Sequence, residues 1–186
     1  MRTLECVPIL SEPRVEVHRS FLAAMAEFRA EGRGGADDHT MVGEDHRSWA
    51  AEWDTPEAFA RYVASVRADA LEETPRRPGW VPQTTLWWVD GAEYLGRVGI
   101  RHRLTPALRE RGGHIGYDIR PTARRRGHAT AMLRAALPVA RGLGLSEVLL
   151  TTDPDNVASQ KVIRANGGEL AEAGAATYYF RISLRG

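Results

Sequence analysis

The run Gly116-Tyr117-Asp118-Ile119-Arg120-Pro121-Thr122-Ala123-Arg124-Arg125-Arg126-Gly127-His128-Ala129-Thr130 constrains this chain more than any other stretch. It reads as a short strand, a turn marked by Pro121, and a glycine-bearing basic loop that opens directly into a helix. The start of a helix leaves backbone N–H groups unpaired and carries the positive end of the macrodipole. With three consecutive arginines beside it, such a start is a seat for a phosphate or diphosphate. Any fold for this chain has to bring a strand end, an anion-binding turn and a helix start together.

Other phosphate-binding patterns fail. No Walker-type loop with a following Lys-Ser/Thr occurs, and Gly142-Leu143-Gly144 lacks a third glycine because position 147 is Glu147. Arg-x-x-Gly-x-Ala taken alone would equally suit a solvated basic turn.

Composition narrows the class. With 186 residues, 43% hydrophobic and 26% charged, one domain over residues 1–186 with its own core is expected. The formal net charge of +1 argues neither for nucleic acid nor for an anionic membrane. Cys6 is the only cysteine, so no intrachain disulfide forms and a reducing compartment fits. No secretory pattern is visible, and no apolar run approaches the ~20 residues of a membrane helix. A cytoplasmic location is therefore expected.

Periodicity supplies the elements. Residues 3–9 read as a strand, and Val17, Phe21, Leu22, Met25 and Phe28 place a helix after Val15. Residues 34–53 read as a long polar loop. Its Asp37, Asp38, His39, Glu44, Asp45 and His46 match no metal-ligand spacing and suit a substrate-side segment better. Thr55-Pro56 caps a second helix with Phe59, Tyr62, Val63 and Val66 inward. Residues 84–89 and 93–103 form a hairpin across Asp90-Gly91, followed by a loop at 105–113 and a strand at 114–120. A helix over about 127–143 contains Pro138, which should kink or shorten it. A strand at 147–152, a helix at 156–165 and a hairpin of 169–173 with 176–184 complete an α/β sandwich around a partly antiparallel sheet. Trp80, Trp87 and Trp88 read as core and strand face rather than a substrate cage.

The strand, basic loop and helix, taken with Leu149-Leu150-Thr151-Thr152-Asp153-Pro154-Asp155-Asn156-Val157-Ala158-Ser159, resemble the core of the GNAT acetyltransferase superfamily over about residues 94–168. The resemblance implies a mixed, mostly antiparallel central sheet splayed between its fourth and fifth strands and flanked by about four helices. It implies acetyl-coenzyme A as co-substrate, no metal, and a homodimer as one possible assembly. Arg124, Gly127 and Ala129 match the family's diphosphate-binding positions, with Arg125, Arg126, His128 and Thr130 around them. Gly127 suits close approach of backbone to a diphosphate; Gly127→Glu should abolish binding and leave the fold intact. Main-chain groups of Asp118, Ile119 and Arg120 would pair with the pantetheine arm as with a surrogate strand. Asn156, also a structural N-cap in its own right, and Ser159 one turn on would face the same ligand.

One departure stands out. Where many family members carry a tyrosine that protonates the departing thiolate, this chain has Ile163. Tyr178 or Tyr179 on the last strand, or water, could replace it. His114 and Asp118, alternating with Gly116 onto one strand face, are the candidate bases. The expected function is transfer of acetyl to a primary amine of a small molecule or protein terminus by direct attack. A non-catalytic acyl-coenzyme A sensor is the alternative, and a nucleic-acid binder fits poorly for want of a basic, aromatic-studded surface. No motif marks the acceptor pocket, expected between the first two helices, residues 34–53 and the last hairpin.

Overall fold

Apolar spacing and hydroxyl caps decide where the helices sit. The computed structural model describes residues 7–185. Strand β1 (Ile9–Ser11) leads through a 3-10 turn into helix α1 (His18–Ala30), which buries Phe21, Ala24, Met25 and Phe28 along one stripe. Helix α2 (Met41–Trp49) starts where the Thr40 hydroxyl accepts the Gly43 N–H, and α3 (Pro56–Ala68) where the Thr55 hydroxyl accepts the Ala58 N–H. The hairpin β2 (Gln83–Asp90) and β3 (Glu93–Arg101) is followed by the short helix α4 (Pro106–Glu110) and by β4 (Ile115–Ile119). Then come α5 (His128–Gly142), β5 (Glu147–Thr152), α6 (Val157–Arg164), β6 (Glu169–Ala173) and β7 (Tyr178–Ser183).

The strands form two antiparallel sheets, ordered β1-β2-β3-β4 and β5-β7-β6. Among the described residues the sheets touch through a single bridge, Gly113 with Leu150. The splay expected between the fourth and fifth strands is present, and it is complete enough to divide the sheet. Among the described residues six helices flank it, counting the short α2 and α4.

Several expectations are corrected. Residues 34–53 are not a loop throughout, since α2 occupies their second half; residues 105–113 contain α4. Helix α5 runs past Pro138 to Gly142, close to its expected end, so the proline does not shorten it. The first strand is Ile9–Ser11, and residues 3–6 of the expected span lie outside the described residues, as does Cys6.

Two cores hold the layers together. On the α1 and α3 side, the Phe21 ring lies 5.2 to 5.5 Å from those of Trp53, Phe59, Tyr62, Trp87 and Tyr94. Removing such a buried ring typically costs ~3–5 kcal/mol. On the α5 side, Val98, Ile100 and Ile115 pack with Met132, Leu133, Leu150 and Phe180. Alternation along β3 therefore sends Val98 and Ile100 toward α5, and Arg97, Gly99 and Arg101 toward α2. Ordinary alternation along β2 sends Trp87 and Trp88 into different cores. Trp80 departs from the expectation: it is exposed, with the Arg77 guanidinium 5.5 Å from its ring.

Candidate active site

The divergence of β4 from β5 opens a cleft of about 1140 Å³. Beyond the Gly113–Leu150 bridge, neither facing strand edge has a ladder partner among the described residues. Glycine at 113 makes the near contact at the base of the cleft possible. Its φ is +63°, and a Cβ there would lie 2.3 Å from the Leu149 carbonyl oxygen. His114 completes the clasp: its backbone N–H donates to Leu149 O at 2.7 Å, and its ring Nδ1 accepts the Leu149 N–H at 2.9 Å. Burial first, then the charge of Arg109, pushes the imidazole below its ordinary pKa. His114, expected as a base, thus joins the two sheets and does not line the cleft.

At the other end of β4 the basic loop turns into α5. Gly127 caps the helix in the left-handed region with φ +81° and no side-chain cap, leaving the first-turn N–H groups of His128, Ala129 and Thr130 unclaimed by any capping group. All three residues line the cleft, with Arg124 and Arg125. Arg125 also has a positive φ, +62°. A Cβ on Gly127 would meet nothing within 4 Å, so the turn requires glycine for its backbone conformation. Any side chain at 127 therefore strains the turn itself without meeting a neighbour. Arg124 donates from Nε to Ile119 O at 3.1 Å and from Nη1 to Glu31 at 2.8 Å. Arg126 is exposed and outside the cleft wall. Arg120 is turned toward α1, where Glu27 accepts its Nε–H at 2.8 Å. Burial and the charge of Arg126 lower the pKa of His128, whose Nδ1 accepts from Trp88 Nε1 at 3.3 Å.

Alternation along β4 arms both walls. Tyr117 points to α6, its hydroxyl 2.8 Å from Ser159 Oγ, and burial pushes the phenol up to about 12. The Asn156 side chain caps α6 by accepting the Ser159 N–H at 3.0 Å, and its amide nitrogen has no partner among the described residues. Ile163 is buried in the core beside it. Asp118 points to the opposite face, where it accepts from Arg33 Nη1 at 2.7 Å and lies 4.0 Å from Arg97 Nε. Tyr178 packs against the α5-side core and Tyr179 donates to Glu110 O at 3.0 Å; Thr177 is the last-hairpin residue that reaches the cleft.

Several cleft residues had no place in the sequence reading. Met41 stands over Gly99 and Gly116, beside Thr40 and next to His39 of the expected substrate-side segment. Arg101, Leu108, Arg111 and Gly112 close the far end. Tyr117 was findable, because a strand that aims Gly116 and Asp118 one way must aim residue 117 the other. Three of the acidic residues at 37–46, Asp38, Glu44 and Asp45, are engaged in hydrogen bonds and ion pairs within the fold. Burial alone would raise the Asp38 carboxyl, but hydrogen bonds from Thr40 and Gly34 and the charge of Arg33 outweigh it and hold the group at about 2. Asp45 binds Arg97 and Tyr62. Among the described residues no cluster of His, Cys, Asp and Glu could hold a metal ion, and no helix is long and apolar enough to cross a membrane.

A splayed β4/β5 pair with an uncapped helix start between its open ends is the arrangement of an acetyltransferase of the GNAT class. The sequence profile of the acetyltransferase (GNAT) domain matches residues 37–169, and the chain belongs to that family. Its fold matches Mycobacterium smegmatis RimJ in complex with CoA-disulfide (16% identity, 94% of this chain and 80% of that one, TM-score 0.64). It also matches RimL, a ribosomal L7/L12 alpha-N-protein acetyltransferase in complex with coenzyme A (14% identity, 94% and 92% covered, TM-score 0.59). A third match is MccE, the microcin C7 self-immunity acetyltransferase in complex with acetyl-CoA and AMP (12% identity, 97% of each chain, TM-score 0.62). Among curated proteins none matches the chain.

Proposed function

We propose that this chain is an acetyl-CoA-dependent N-acetyltransferase acting on a primary amine, with cofactor and acceptor sites in one domain. The observation that carries the reading is the cleft itself: two unpaired strand edges leading from an uncapped helix start. The first-turn N–H groups of α5, with Arg124 and Arg125, would hold the diphosphate, and the free edge of β4 would pair with the pantetheine amides. Asn156 Nδ2 and the Ser159–Tyr117 hydroxyl pair face the same space. Acetyl-CoA supplies the activated acetyl group; direct transfer to the amine then depends on positioning and on polar groups of the chain.

Tyr117 holds a proton on its phenol at the cleft wall, the task that Ile163 leaves vacant. Asp118 and His39 line the acceptor side, and His39, which has no hydrogen-bond partner among the described residues, is the better placed to take a proton from the incoming amine. A lone cysteine and a co-substrate of the cell interior support a cytoplasmic location as part of this reading.

Calorimetric titration with acetyl-CoA, followed by thiol-release assays on an amine panel, tests the reading. Micromolar binding, about −8 kcal/mol, with amine-dependent thiol release is expected. Binding without turnover of any amine would favour an acyl-CoA sensor, for which buried Ile163 is the one supporting observation; no binding would overturn both.

A further inference from the structure

Two arginines of β3 are taken largely out of water on the face beneath α2, and the fold treats them differently. Arg97 is bonded to Asp45 and lies near Asp118. Arg101 has no carboxylate in salt-bridge range among the described residues. Its Nη1 donates to the carbonyls of Gly112 at 3.3 Å and Gly113 at 3.0 Å, while Nε and Nη2 have no hydrogen-bond partner there. Burial lowers its pKa from the ordinary arginine value, with no neighbouring charge acting on it. Guanidinium does not give up its proton in a protein, so this end of the cleft carries a partly desolvated positive charge with no carboxylate on it among the described residues. The adjacent Arg111 is already engaged, 3.0 Å from Asp153.

Position decides which anion is missing. Ile100 pairs with Ile115 and Gly96 with Ile119, so Arg101 stands level with the beginning of β4, whereas the diphosphate seat follows its end. At about 3.3 Å per residue, the length of β4 separates the two by roughly 17 Å. Arg101 also lies on the α2 face of the sheet, opposite α5, and it lines the cleft. It cannot serve the diphosphate. The edge formed by Nε and Nη2 is the planar two-donor fork that matches a carboxylate.

We propose that Arg101 anchors the acceptor: its free Nε–Nη2 edge binds a carboxylate carried by the amine that is acetylated, so the acceptors are amino acids or acidic peptides rather than simple amines. Leu108 and Met41 form apolar flanks to this end of the cleft. The inference rests on reading the cleft as the acetyl-transfer site.

Thiol release from acetyl-CoA is measured with glycine, the ω-amino acids from β-alanine to 6-aminohexanoate, and C-terminally amidated Ala-Asp and Ala-Glu. Each is compared with its uncharged amide partner, and β-alanine also with phosphoethanolamine. At least one acid should exceed its amide by tenfold or more in kcat/KM, chiefly through KM, and Arg101→Met should bring that ratio below threefold. Arg101→Lys, which keeps the charge without the fork, should fall between. The acid-to-amide ratio of the unaltered protein stands even if a variant misfolds. Absence of any acid preference in a protein that binds acetyl-CoA, including failure to turn over every acid, overturns the anchor and leaves the cofactor site standing. A preference for phosphoethanolamine over β-alanine overturns the carboxylate assignment. Absence of acetyl-CoA binding brings down the reading of the cleft and the anchor with it.

Discussion

The Tyr117 hydroxyl lies 2.8 Å from Ser159 Oγ, joining β4 to α6 across the wall of the cleft. It gives the chain a phenol facing the ligand space although the helix position that carries a tyrosine in many relatives is Ile163. Tyr117→Phe should lower kcat ten- to a hundredfold, toward the lower end of what a positioned acid contributes, with acetyl-CoA affinity unchanged by calorimetry. Ser159→Ala should act on the same step, so the double variant should lose less than the product of the two. Because burial holds the phenol at about 12, its titration should not limit the rate below about pH 10. A Tyr117→Phe enzyme with unaltered kcat would remove Tyr117 from the chemistry.

At the opposite end of β4, two residues of one turn occupy the left-handed region for different reasons. Gly127 sits at φ +81° and Arg125 at φ +62°. A side chain at Gly127 costs ~1–2 kcal/mol of backbone strain, so Gly127→Ala should lower the melting temperature by a few degrees and weaken acetyl-CoA binding tenfold or more. Arg125→Gly removes strain together with charge; stability should hold or rise while affinity falls. If Arg125→Gly binds acetyl-CoA as tightly as the parent, the loop acts through backbone alone and the arginine contributes nothing.

Much of this was legible in local sequence. The Thr55-Pro56 start of α3 was read from a hydroxyl followed by proline, and the same signal at Thr105-Pro106 marks α4, where a helix of five residues was too short to show periodicity. Helix α2 was hidden because the buried positions near its start are Val42 and Gly43, with charged residues after them. The strand end, basic turn and helix start that line the cleft could be read because they are contiguous from Ile119 to Thr130. The opposite wall of the cleft was legible only in part: His39 lay in the expected substrate-side segment, but Arg101 and Leu108 join it only after β3, β4, α2 and α4 have packed, and no local pattern encodes that encounter. The clasp made by His114 was hidden for a related reason, since its partner Leu149 is 35 residues away.

The base of the cleft tolerates nothing larger than glycine at position 113. The Cβ of an alanine would have to displace the Leu149 carbonyl, 2.3 Å away, from a backbone already at φ +63°. Overpacking of this kind costs ~1–3 kcal/mol, and the positive φ adds ~1–2 kcal/mol. Gly113→Ala should therefore lose several kcal/mol in chemical denaturation. Gly116→Ala, whose Cβ would lie an ordinary 3.7 Å from Met41 Cε, should lose less than about 1 kcal/mol. Equal losses would mean that the contact between the sheets is not held by close backbone approach.

The same clasp makes stability depend on pH. His114 accepts the Leu149 N–H through Nδ1, which a protonated imidazole cannot do, and burial, with Arg109, holds its pKa below the ordinary value. The unfolded chain, titrating near 6.5, then takes up protons before the folded one. The contribution of this group is accordingly complete above about pH 6.5 and is lost as pH falls through that value toward the lower folded one. His46, His102 and His128 are shifted in the same direction, so the informative quantity is a difference between proteins. His114→Asn keeps an acceptor oxygen in place of Nδ1 and does not titrate; its melting temperature should fall less between pH 7.5 and pH 5 than that of the parent. His114→Ala leaves the Leu149 N–H unpaired and should cost ~1–3 kcal/mol at pH 7.5. Parallel melting curves for parent and His114→Asn across that range would show that His114 is not the group that loosens the two sheets in acid.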